Sequence, residues 1–123
     1  MRLRVFAYEK CDTCRKALKF LAAKKTAHEV IPIRAQPPSI AELRAMLAHV
    51  GGDVRKLFNT SGRDYQALGM KVRLPKLSVD EALALLTANG NLVKRPFVLT
   101  ANGGVVGFRE EEWERLLAGT RSV

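Results

Sequence analysis

Two cysteines, Cys11 and Cys14, stand three residues apart where an apolar run gives way to a helical pattern. They are the only cysteines in 123 residues. A thiol at the start of a helix faces free backbone N–H groups and the positive end of the helix dipole. Both favour the thiolate, which is the nucleophile. The spacing brings the second sulfur close to the first. Cys11, nearer the loop, is expected to attack. Cys14, one turn further in, is expected to resolve by closing an intramolecular disulfide. The bland alternative is a pair of unreactive thiols. Zinc is not expected, because one such pair supplies two of the usual four ligands and neither His28 nor His49 has ligand spacing.

The residues around the pair set the element order. Leu3 to Tyr8 reads as a buried strand and residues 11–25 as a helix with Ala17, Leu18, Leu21 and Ala22 inward. His28 to Ile33 reads as a second strand, with Pro32 directing it to an edge or a bulge. Ser39 with Glu42 and Ser78 with Glu81 each form a capping box. The first opens a helix with Ile40, Leu43, Met46, Leu47 and Val50 on one face, stopped by Gly51-Gly52. The second opens a helix with Val79, Ala82, Leu83 and Leu86 inward, stopped at Gly90. Between them, Val54 to Phe58 and Asp64 to Leu68 read as short helices, with Gly69 as a stop. Phe97 to Thr100 and Val105 to Phe108 read as strands joined at Asn102-Gly103, a hairpin signal. A last helix from about Glu110 to Ala118 turns Trp113, Leu116 and Leu117 inward. The order β-α-β, helices, β-β-α is an α/β, thioredoxin-like arrangement with a helical insertion.

Length matches one domain, and no apolar run reaches the roughly 20 residues of a membrane span. The opening residues do not form a signal-peptide pattern, because Glu9, Lys10 and Asp12 break the apolar stretch. The expected location is the cytoplasm and the expected state a monomer. A net charge of +9 fits an acidic or phosphate-bearing partner as well as plain solubility. The cations are dispersed, with no basic tail, so sequence-specific nucleic-acid readout is not expected. Arg95 precedes Pro96 and the strand at Phe97. It is either a surface arginine before an ordinary strand-initiating proline or, since a proline at this point of such a fold faces the dithiol, a charge placed near Cys11. There it would lower the thiol pKa or bind an anionic group.

Five segments carry a family resemblance: the strand ending at Tyr8 with CDTCRKA, LFNTSGRDYQALGM from Leu57, LPKLSVDEALALL from Leu74, KRPFVLT from Lys94 and VGFREEEWERLL from Val106. Together they span nearly the whole chain. They resemble the arsenate reductase-like (ArsC) family that includes the Spx and MgsR regulators. The resemblance implies one domain over residues 1–123. Its thioredoxin-like core covers about 1–36 and 91–119, and its helical insertion about 37–90. It also implies a cis Arg95-Pro96 bond near Cys11. In arsenate reductases of this type a cysteine attacks arsenate and three arginines hold the oxyanion. Here the cysteine maps to Cys11 and one arginine to Arg95, while the other two positions hold Asn59 and Phe108. Two missing charged hydrogen bonds, each worth about 1.5–3 kcal/mol, lower oxyanion affinity on the order of 10²–10⁴-fold. Classical arsenate reduction is therefore not expected.

Two functions fit the resemblance. In the first, the chain is a thiol-dependent oxidoreductase with Cys11, Cys14 and Arg95 at its centre. Thr13, Arg15, Pro96 and Asn59 then support the substrate or the thiolate. No cofactor is bound, and glutathione, glutaredoxin or thioredoxin is the reductant. In the second, it is an Spx-like redox switch that binds the C-terminal domain of the RNA polymerase α subunit. Gly51 and Gly52 lie in the corresponding contact region, and Arg95 is associated with the oxidised, active state. The segment around Asn59 resembles the reductase-like members more, which places the enzyme-like function first.

Overall fold

The structure, a computed structural model, describes residues 3–101 and 103–120. Strand β1 (Leu3–Ala7) runs into helix α1 (Asp12–Ala23) and returns as strand β2 (His28–Pro32). β1 and β2 pair in parallel from Leu3 with His28 to Ala7 with Pro32. Strand β3 (Phe97–Leu99) pairs antiparallel with β1, and strand β4 (Gly104–Val106) with β3. The sheet order is β2-β1-β3-β4, with β2 on an edge, where Pro32 is tolerated. Helix α6 (Glu110–Thr120) follows. This is the thioredoxin-like arrangement. Between β2 and β3 lie α2 (Ile40–His49), α3 (Arg63–Ala67), α4 (Met70–Arg73) and α5 (Val79–Ala88), with 3-10 turns at Val54–Leu57, Leu74–Lys76 and Gly90–Leu92.

Strand alternation divides the core into two halves. Leu3, Val5, Ala7 and Val98 face α1 and α6, where Cys14, Ala17, Phe20, Leu21, Trp113 and Leu117 are buried. Phe6 and Phe97 point the other way, into the insertion, and meet edge-on at 5.5 Å. Both capping boxes form, at Ser39 with Glu42 and at Ser78 with Glu81. Trp113 is a core residue whose Nε1 donates to the Gly107 carbonyl at 2.9 Å. Among the described residues, no helix is long and apolar enough to cross a membrane.

Several details differ from the sequence pattern. The inner face of α1 takes Phe20 in place of Ala22, which is exposed. The cause is aromatic packing: Phe20 lies edge-on to Phe108 at 5.6 Å and to Trp113 at 6.4 Å, and turns that face toward α6. Val79 is exposed in the first turn of α5. Gly90 does not stop α5, which ends at Ala88. A Cβ at Gly90 would lie 1.9 Å from the Ile33 carbonyl oxygen, so glycine is required there for backbone contact. Phe108 is outside β4, in the loop before α6, and α4 follows Gly69, where the sequence pattern gives no element. The Asn102 half of the hairpin signal lies outside the described residues. On either side of it, the Thr100 N–H donates to the Gly103 carbonyl at 2.8 Å.

Candidate functional site

The dithiol sits at the C-terminal end of β1, the usual position of a site in an α/β sheet. Cys11 is the N-cap of α1, with extended backbone. Its Sγ accepts the Cys14 backbone N–H at 3.3 Å, the role usually taken by a serine or aspartate oxygen. Cys11 is half-buried, Cys14 is buried, and the two are not joined by a disulfide. Burial acts to raise the Cys11 pKa. Hydrogen bonds from the Cys14 thiol and backbone and the charge and hydrogen bond of Arg95 outweigh it, and the pKa is lowered. For Cys14, burial dominates with help from the neighbouring Cys11 sulfur, and its thiol is pushed up to about 12. One turn of helix thus separates a thiolate-favouring sulfur from one that holds its proton.

Arg95 is fixed from several directions. The Arg95-Pro96 peptide is cis. The preceding residues are pinned to the insertion: the Lys94 N–H donates to the Leu57 carbonyl at 2.8 Å, and the Asn59 N–H to the Leu92 carbonyl at 2.7 Å. The Arg95 guanidinium lies over the Tyr8 ring at 5.2 Å. Arg34 covers the same ring at 4.8 Å and donates to the Tyr8 hydroxyl at 2.9 Å. Both distances are within cation–π range. The Arg95 Nη1 atom is buried without a hydrogen-bond partner. A buried donor left open is costly, and an oxygen of a molecule at Cys11 would satisfy it.

Cys11 opens into a groove of about 1680 Å³ that runs between the thioredoxin-like core and the insertion. Thr13, Asn59, Arg95 and Gly51 line it with Cys11. Arg15 does not: its guanidinium donates to the Glu9 carbonyl and pairs with Asp12 at 3.1 Å. Pro96 is buried beside Arg95. Asn59 and Phe108, at the two expected arginine positions, both reach the groove, with Phe108 also stacked edge-on against Trp113 at 5.5 Å. Gly51 and Gly52, with φ of 75° and 82°, close α2. The Gly52 N–H donates to the Leu47 carbonyl at 2.8 Å and the Gly51 N–H to the Ala48 carbonyl at 3.3 Å, a Schellman cap. His49 lines the groove, whereas the His28 ring bonds the Thr26 carbonyl at 2.8 Å. Among the described residues, no cluster of three or more His, Cys, Asp or Glu residues could hold a metal ion.

Sequence patterns did not single out Tyr8, Arg34, Lys94 or Arg109, all of which line the groove. A positional signal was present for the first two: Tyr8 and Arg34 follow the C-terminal ends of the parallel strands β1 and β2, where loops build sites.

The ArsC family model matches residues 6–116. The chain is 43% identical over 114 residues to the Bacillus subtilis protein YusI, covering 93% of this chain and 97% of that one. An ArsC family related protein from Bacteroides fragilis shares the fold with a TM-score of 0.89 at 40% identity, over 94% of this chain and 98% of the other. The global transcriptional regulator Spx of Enterococcus faecalis is 29% identical over 115 residues, covering 94% of this chain and 86% of the regulator.

Proposed function

The chain belongs to the ArsC family, and within it we propose a thiol–disulfide redox protein in which Cys11 attacks and Cys14 resolves. The Cys11 thiolate attacks one sulfur of a disulfide substrate. The substrate S–S bond breaks, and its other half leaves as a thiolate. Cys14 then attacks the Cys11 sulfur and releases the second half as a thiolate. Its proton passes to the first thiolate released. The substrate gains two electrons and the protein is left with a Cys11–Cys14 disulfide. An external thiol system returns it to the dithiol: glutathione, glutaredoxin or thioredoxin. The protein acts as a cytoplasmic monomer without a bound cofactor.

The observation that carries this reading is the different setting of the two sulfurs: Cys11 is half-buried, accepts the Cys14 N–H and has its pKa lowered, while Cys14 is buried and pushed up to about 12. Arg95 supports the first and leaves a donor for the substrate. Asn59 and Phe108 at two anion-binding positions argue against classical arsenate reduction. A second reading, a redox switch that binds the RNA polymerase α subunit, draws support from the similarity to Spx. Against it, the glycine pair already serves as the cap of α2.

The test is the reduction potential of the pair in glutathione buffers, scored by alkylation and mass. A reversible intramolecular disulfide near the cytosolic glutathione poise is expected. Absence of any disulfide across the accessible range would overturn both readings.

A further inference from the structure

The groove and the remaining surface treat charge differently. Eight Lys and Arg residues line the groove, against two carboxylates, Asp64 and Glu112. Arg55, Lys56 and Arg63 come from the insertion; Lys10, Arg34, Lys94, Arg95 and Arg109 come from the core. Asp64 accepts hydrogen bonds from the side-chain amides of Asn89 and Asn91, at 2.9 and 3.4 Å. The ion pairs found among the described residues are Arg4–Glu42, Arg15–Asp12, Lys24–Glu114 and Arg44–Asp80. None of their members lines the groove. Among the described residues, four cations elsewhere meet acids in these pairs, whereas none of the eight that line the groove does.

A concave wall of one sign raises the local concentration of an oppositely charged ligand. The groove is larger than the roughly 300–1,000 Å³ usual for a compact small-molecule site, so it suits an extended one. Since Cys11 opens into the same space, the ligand is one that brings a sulfur to it.

We infer that the groove selects disulfides of multiply anionic thiols, with Arg55, Lys56 and Arg63 as an anion-holding set separate from Arg95. The inference rests on the proposed thiol–disulfide function and adds a substrate class to it. The reaction is the exchange already written: two electrons pass from the protein dithiol to the disulfide, and two anionic thiols leave.

Coenzyme A disulfide and pantethine present the same reacting bond and the same thiol arm. They differ in the phosphate-bearing nucleotide. Exchange with the reduced protein, followed by thiol release, is expected to run at least about tenfold faster with coenzyme A disulfide at low ionic strength, and the ratio should fall toward one in high salt. The triple variant Arg55→Glu, Lys56→Glu, Arg63→Glu should bring the ratio close to one at low salt. The triple variant Lys19→Glu, Lys71→Glu, Lys76→Glu makes the same change in net charge at exposed sites outside the groove. It should keep the ratio within about twofold of the original. Glutathione disulfide separates the sources of charge: acceleration with it alone assigns the site to carboxylates rather than phosphates.

Equal rates for coenzyme A disulfide and pantethine, with no acceleration of glutathione disulfide, overturn the inference. So does an equal loss in both triple variants, which would show a general field and no groove site. The Cys11→Ser, Cys14→Ser double variant reads the groove without the chemistry. Tighter binding of coenzyme A than of pantetheine supports the anion site even if no disulfide reacts, a result that would reject the exchange function alone. No preference in that titration rejects the anion site.

Discussion

Cys11 and Cys14 are one helical turn apart and belong to different regions of the molecule. Cys11 faces an open groove lined by cations. Cys14 faces the closed layer between the sheet and helices α1 and α6, together with Ala17, Leu21 and Trp113. In the first region charge and hydrogen bonds overcome desolvation; in the second desolvation wins. The comparison teaches that the spacing of two cysteines sets their proximity, while the region each one faces sets its reactivity.

The largest expected effect breaks the pair itself. Cys11→Ser should abolish alkylation by iodoacetamide at pH 7, because the remaining sulfur is buried and protonated. Cys14→Ser should leave a fast-labelling thiol at Cys11. Peptide mass after timed alkylation checks both, and equal labelling of the two variants would erase the difference between the regions.

Next in size is the packing of the closed layer. Trp113 is fully buried, donates to Gly107 and touches both Phe20 and Phe108. Trp113→Ala should cost about 3–5 kcal/mol in urea unfolding. A loss below about 1 kcal/mol would mean that this layer does not hold Cys14 as firmly as its burial implies.

The closed layer was also the easier region to read from sequence. Leu3, Val5, Trp113 and Leu117 announce it through strand and helix periodicity, and both serine capping boxes are local signals. The groove has no such periodicity. Its residues come from segments distant in sequence, so Arg34 and Arg95 both reach the Tyr8 ring only once β2 lies beside β1 and β3 beside β1. Arg95 was visible because Pro96 and a strand follow it. Arg15 looked equally well placed beside Cys14, yet helical geometry turns it to Asp12 and Glu9. Gly90 signalled a helix stop, whereas its contact with Ile33 is a tertiary demand with no local trace.

A smaller effect sharpens the electrostatic half of the comparison. Alkylation of Cys11 follows its thiolate fraction, and Arg95 favours the charged form. Arg95→Met removes that attraction and leaves burial, which favours the thiol. The midpoint of the rate-against-pH curve should therefore move up. The variant should be slower than the parent near neutral pH and should approach it in alkali, where both are ionised. An unmoved midpoint would leave the lowered pKa to the Cys14 hydrogen bonds alone.

The smallest effect concerns the groove rim, where the two functional readings diverge. Gly51 has a φ of 75°, and a Cβ there meets nothing within 4 Å. Gly51→Ala therefore adds no clash, and its cost is the left-handed backbone of a non-glycine residue, about 1–2 kcal/mol. Since Gly51 is exposed and the groups that lower the Cys11 pKa are Cys14 and Arg95, Cys11 alkylation should be unchanged while urea unfolding registers the loss. A protein whose Gly51 serves only as a cap should then keep its disulfide exchange in the folded state. If Gly51→Ala instead leaves stability intact and abolishes binding to the RNA polymerase α subunit, the rim is a partner surface, and the regulator reading displaces the redox-enzyme one.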